Sequence, residues 1–103
     1  MGDNPASELN GPVTHFVWDG AKADANRSNH GVSFDEASSV FSDPLSLTVP
    51  DPEHSETEER SITIGMSQRR RLVVVVHTDR GAAIRIISAR LSSRAEMRDY
   101  EDG

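Results

Sequence analysis

The chain has 103 residues, 35% of them hydrophobic, no cysteine, and a formal net charge of −6. A chain of this length holds one small core, burying somewhat over ~60% of the surface its unfolded form exposes. Lack of cysteine excludes a disulfide framework, a thiolate metal site and a cysteine nucleophile. No apolar run approaches the ~20 residues of a membrane-spanning helix, the longest being Leu72 to Val76.

Residues 1–12, rich in Gly, Pro, Asn and acids without periodicity, read as a disordered tail before one domain over 13–103. That polar start is unlike a signal peptide, so the cytoplasm is the expected location. Val13 to Trp18 is short and apolar-aromatic and predicts a first strand. Asp19 offers a helix N-cap, the alanines at 21, 23 and 25 favour helix through about Asn29, and Gly31 suits a left-handed terminus. Ser33 and Glu36 fit a capping box opening a second helix, whose apolar stripe is Phe34, Ala37, Val40 and Phe41. Asp43-Pro44 stops it. Leu45 to Val49 alternates like a half-buried strand, and Pro50 to Glu59 follows as an acidic loop. Ser61 to Met66 alternates again, with Ile62, Ile64 and Met66 on one face. Ser67 to Arg71 predicts a basic hairpin turn. Leu72 to His77 is solidly apolar, as a central strand covered on both faces must be. Asp79-Arg80-Gly81 predicts a tight turn. Ala82 to Arg90 is the last strand; if regular, it puts Ile84, Ile86, Ser88 and Arg90 on one face and Arg85, Ile87 and Ala89 on the other. Ser93 and Glu96 form a second capping box, opening a helix through Tyr100. The order β-α-α-β-β-β-β-α predicts an α+β fold: an antiparallel four- to five-stranded sheet with helices packed on one side.

Charge is unevenly spread. Residues 1–60 hold twelve acids against three cations, net −9; residues 61–103 hold eight arginines against five acids, net +3. Arginine suits bidentate contact with phosphate or carboxylate. An arginine on a strand face among isoleucines loses hydration unless an anion meets it. Cleavage of RNA without a metal needs a base for the ribose 2′-OH, an acid for the leaving 5′-oxygen, and cations for the phosphorane. His77 or Glu59 could serve as base, Tyr100 or a histidine as acid, and Arg60, Arg80, Arg85 and Arg90 as cations. Arg94 and Arg98, four apart, share a helix face. The competing readings are structural salt bridges to Glu58, Glu59, Glu96 or Asp99, and plain solvation. Histidine spacing fits no zinc motif, Gly65 and Gly81 stand alone rather than in a phosphate loop, and no GxSxG turn occurs.

From about Phe16 to Glu101 the chain resembles the BrnT family of type II toxins. The resemblance is carried by Trp18-Asp19, Ala21-Lys22 and Asn26; by His30-Gly31-Val32-Ser33-Phe34, Glu36-Ala37, Val40-Phe41 and Asp43-Pro44-Leu45; and by His54-Ser55, Glu59-Arg60 and Ile64-Gly65. Leu72 to Val76, Thr78, Arg80-Gly81, Arg85 to Arg90, Arg94, Glu96 and Tyr100 complete it. The resemblance implies a fold like RelE-type ribonucleases and metal-independent RNA cleavage that inhibits translation as part of a stress response, with the ribosome a candidate setting. It implies no cofactor. It also implies a neighbouring, BrnA-like antitoxin with a ribbon-helix-helix DNA-binding domain, through which alone the toxin would meet DNA. By position, the family's polar set falls on Lys22, His30, Glu59, Arg60, Arg80, Arg85, Arg90, Glu96 and Tyr100. Arg60, Arg80, Arg85 and Tyr100, with Glu59 and His77, are the expected catalytic set; Arg90, Arg94, Arg98 and Lys22 the expected RNA contacts; His30 and Lys22 the expected antitoxin contacts. Where relatives often carry cations, this chain has Asn29, Leu91, Ser92, Ala95 and Met97. That departure, with the acidic net charge, frames the alternative: a catalytically weak or inactive module that binds the antitoxin and serves operon autoregulation.

Overall fold

Local signals start and stop the elements at the residues that carry them. A computed structural model of the chain describes residues 15–54 and 58–103; the expected tail over 1–12 and part of the acidic loop lie outside the described residues. Strand β1 is His15–Val17. Helix α1 is Gly20–His30, and the Asp19 carboxylate accepts from the Ala21 and Lys22 amides at 2.8 and 3.2 Å. Gly31, at φ 69°, ends it in the left-handed conformation that costs glycine least. Helix α2 is Phe34–Ser39, capped by Ser33 and continued as a 3-10 turn over Val40–Ser42. Strands β2 (Leu47–Pro50), β3 (Ser61–Met66), β4 (Leu72–Arg80) and β5 (Ala83–Leu91) follow, and α3 (Arg94–Asp102) closes the chain behind the Ser93–Glu96 capping box.

The strands form one five-stranded sheet in the order β1-β5-β4-β3-β2. The three pairings among β2, β3, β4 and β5 are antiparallel, but β1 runs parallel to β5, so the sheet is mixed rather than antiparallel throughout. β1 and β5 are far apart in the chain, so no hairpin ties their directions together, and β1 docks on the β5 edge in the parallel sense. β4 is the middle strand, and Val73, Val74 and Val75 are all buried. Val73, Val75, Ile84, Ile86 and Ala89 meet Val32 from the α1–α2 connection, Phe34 and Ala37 of α2 and Val40 of the 3-10 turn in the core. A Cβ on Gly65 would lie 2.8 Å from Val40 Cγ1, so this β3 position must be glycine for the 3-10 turn to sit on the sheet.

Two polar devices hold the helical layer. Asn26, buried on α1, donates to the Ala89 and Val32 carbonyls at 2.8 and 2.9 Å and accepts from the Ala89 amide at 3.1 Å. It thereby completes the edge of β5 beyond the short β1. Glu36 does not turn back to close its expected capping box. Its buried carboxylate accepts instead from Arg71 Nε at 2.9 Å and Ser67 Oγ at 2.7 Å, while Arg71 also donates to the Gly31 carbonyl. The Arg71 hydrogen bonds lower the Glu36 pKa against the opposing effect of burial.

Two further expectations are corrected. The helices are not confined to one side: Glu96 and Asp99 of α3 line a groove with Leu47, Val49, Ile62, Ile64 and Val74, on the sheet face away from α1 and α2. Arg80 also lies in β4 rather than in a turn, because β4 continues through Thr78, Asp79 and Arg80, each paired with β5. Among the described residues no helix is long and apolar enough to cross a membrane.

Candidate functional site

The sheet register brings three arginines together. His77 pairs with Ser61, so the next step places Arg60 beside Thr78; Thr78 pairs with Arg85, and Arg85 with Val17 of β1. Arg80, two residues beyond Thr78 on β4, shares its face. These arginines surround the Glu58 carboxylate: Arg80 and Arg85 lie 3.4 and 3.5 Å from Oε1, and Arg60 lies 3.5 Å from Oε2. Charge-assisted pairs close at roughly 2.7–2.9 Å. Three guanidinium groups thus share the Glu58 carboxylate at long range.

A bulge places Arg85 on this face. Val76 pairs with Ser88 but His77 pairs with Ile86, so Ile87 is the extra residue. The alternation resets there. Ile84, Ile86 and Ala89 all reach the core, while Arg85, Ser88 and Arg90 share the opposite face. Regular alternation over residues 82–90 separated Arg85 from Arg90; the bulge unites them.

The remaining expected residues are dispersed. Arg90 makes a bidentate pair with Glu96, at 2.8 and 2.7 Å, and its hydrogen bonds hold the Glu96 carboxyl at about 2. Arg94 and Arg98 are exposed on α3. Lys22 and His30 are exposed on α1, in the layer behind the sheet from the arginine row. Glu59 is exposed beside Glu58, and Glu58 is the carboxylate the arginines meet.

His77 and Tyr100 lie away from the arginines for clear structural reasons. His77 belongs to the core face, 2% exposed and edge-on to Phe41. Nδ1 lies 3.0 Å from Asp79 Oδ1 and Nε2 lies 2.8 Å from Thr63 Oγ1. A neutral ring satisfies both, donating from Nδ1 and accepting at Nε2. Burial lowers its pKa, with Asp79 opposing. Tyr100 donates to Asp43 Oδ2 at 2.6 Å, and the Met66 amide donates to the same oxygen at 2.8 Å. Six residue steps along β3 separate Arg60 from Met66, about 20 Å at ~3.3 Å each. The Asp43 contact also pushes the phenol up to about 12.

Nothing in the sequence marks Thr78 as a site residue, since only the register reveals that three arginines flank it. Glu58 drew notice only as a salt-bridge partner, because a run of acids in a loop does not say which one faces the sheet. No group of three or more histidines, aspartates or glutamates that could hold a metal occurs among the described residues.

Fold and site together define a small α+β domain with a cationic margin on a mixed sheet. The family model of the BrnT ribonuclease toxin of type II toxin-antitoxin systems matches residues 18–96. The chain belongs to that family. Its fold is similar to the 1.1 Å crystal structure of the Brucella abortus ribonuclease toxin BrnT, at 23% identity and a TM-score of 0.57, covering 78% of this chain and 97% of that one. No curated protein matches the chain.

Proposed function

We propose that this chain is a metal-independent endoribonuclease that binds an RNA phosphodiester at Arg60, Arg80 and Arg85, in the manner of RelE-type toxins. The observation that carries this reading is the convergence of three arginines from three stretches of the sheet on one carboxylate, at distances too long for closed ion pairs. A phosphate carries the same kind of oxygens and can form shorter, bidentate contacts with the same guanidinium groups. A base takes the proton of the ribose 2′-OH; the oxygen attacks phosphorus, the arginines stabilise the phosphorane, and the 5′-oxygen leaves and gains a proton. Glu58 lies within 3.5 Å of all three arginines and takes the role of base expected of Glu59. The acid does not come from Tyr100.

In the cell this activity inhibits translation in the cytoplasm as part of a stress response, with the ribosome as a setting for RNA alignment. A ribbon-helix-helix antitoxin neutralises it and carries the pair to operator DNA. A specific observation favours the rival reading of an inactive interaction module: Arg90 is already closed on Glu96, which leaves fewer cations for RNA.

The test is incubation of the purified protein with single-stranded RNA in EDTA, with and without ribosomes. The expected products end in a 2′,3′-cyclic phosphate and a 5′-hydroxyl, and Arg80→Ala abolishes them while the protein stays folded. Failure to cleave in either setting, with a tight antitoxin complex still formed, overturns the enzymatic reading and leaves the module.

A further inference from the structure

Thr78 has an unusual position for a neutral side chain. On its face of the sheet it pairs with Arg85, Arg60 lies opposite it one step beyond the paired end of β3, and its neighbours along β4 are Val76 and Arg80. Three of the four are the arginines that meet Glu58. Thr78 is 4% exposed, and its Oγ1 has no hydrogen-bond partner among the described residues. Buried side-chain hydroxyls nearly always have a partner, because leaving one unmade forfeits the hydrogen bonds it had with water. The threonines on the other face follow that rule: Thr48 Oγ1 lies 2.7 Å from Thr63 Oγ1, which in turn meets His77.

We propose that the Thr78 hydroxyl belongs to the anion site, donating to a non-bridging oxygen of the bound phosphodiester. This rests on the arginine row being the phosphate site. The floor of the row then supplies a short, β-branched donor with few rotamers, and the arginines supply long ones around it. Glu58 holds the guanidinium groups over Thr78 in the free protein. When a phosphate takes their contacts, they turn to it and the hydroxyl gains the acceptor it lacks. Threonine thus acts as a positioning group that sets how deep the phosphate sits, adding no charge.

The experiment compares Thr78→Val, Thr78→Ser and Arg85→Ala in the full chain. The probe is a fluorescent single-stranded 2′-O-methyl RNA, which resists cleavage through the 2′-oxygen; binding is followed by anisotropy in EDTA across a series of salt concentrations. Thr78→Val keeps shape and removes the donor. It is expected to weaken binding roughly tenfold, a hydrogen bond to a charged group, with a salt dependence equal to wild type. Thr78→Ser is expected to bind like wild type. Arg85→Ala is expected to weaken binding and to lower the log-log salt slope by about 0.7. Thermal melts separate folding from binding: Thr78→Val should melt at or above wild type, since it removes an unpartnered hydroxyl.

If Thr78→Val binds like wild type while Arg85→Ala is weakened, the Thr78 inference is wrong and the arginine site stands. If Thr78→Val lowers the salt slope as Arg85→Ala does, Thr78 only props up the arginines and donates nothing. If Arg85→Ala binds like wild type, or wild type does not bind, the arginine reading itself fails and takes the Thr78 inference with it.

Discussion

Replacing Arg85 with alanine separates a functional arginine from a structural one. Arg85 is 31% exposed, and its contact with Glu58 is 3.5 Å long and shared with two other arginines. A partly exposed pair of that kind contributes about 0–1 kcal/mol to stability. In a domain this size 1 kcal/mol shifts the melting temperature by roughly 4–8 °C, so the loss should stay below about 8 °C. If Arg85 meets a phosphate, the loss in RNA binding is larger: a hydrogen bond to a charged group contributes roughly 1.5–3 kcal/mol, or about tenfold to a hundredfold in Kd. Arg71 is the internal control. It donates to the buried Glu36 and to the Gly31 carbonyl, so Arg71→Ala strands a carboxylate that is 1% exposed. Breaking a buried pair costs about 3–5 kcal/mol, a little less here because Arg71 itself is partly exposed. The assay is a circular-dichroism melt of each variant beside RNA binding by anisotropy. A large stability loss in Arg85→Ala with unchanged RNA affinity would refute the reasoning, because Arg85 would then be holding the sheet together.

Other consequences are smaller and independent. Glu36→Gln should lower stability by about 2–4 kcal/mol in chemical denaturation, since the amide loses the charge that pairs with Arg71 and sets an NH2 donor where the second carboxylate oxygen accepts from Arg71 Nη2; a loss under about 0.5 kcal/mol would show that this pair is dispensable. Glu96 sits at about 2 in the folded protein, below its ordinary 4.5. Its contribution is therefore complete above about pH 5 and lost as pH falls through 4 toward 2. With Arg90 half-exposed, solvent screening reduces that contribution to about 1 kcal/mol; urea titrations from pH 6 to 3 should show a shallower fall in Arg90→Gln, and identical curves would contradict the pairing. Tyr100→Phe should cost about 1 kcal/mol through the lost hydrogen bond to Asp43 and leave RNA cleavage intact. Loss of cleavage in a folded Tyr100→Phe protein would restore the tyrosine to the catalytic set.

Local chemistry was legible from sequence because its partners are close along the chain. Asp19, Ser33 and Ser93 cap the helices they precede, and Gly31 ends the helix before it. Ser61 to Met66 is a strand over its full expected length, and Leu72 to Val76 belongs to the middle strand. Side-chain periodicity and capping act over three or four residues, and the chain order of elements follows from them. The arginine-rich second half was legible in the same way, as composition.

Longer-range features needed the tertiary structure. Periodicity cannot reveal that Ile87 is an extra residue, because a bulge exists only against a partner strand; yet that residue turns Arg85 and Arg90 to one face. Nor could it distinguish Arg71 and Arg90, closed on Glu36 and Glu96, from Arg60, Arg80 and Arg85, which share Glu58. His77 and Thr78 are neighbours in sequence, but one faces the core and the other the arginines. Composition determined that cations would outnumber acids in this half of the chain. Hydrogen-bond register between strands distant in sequence decided which of them meet, because it alone sets which side chains stand side by side.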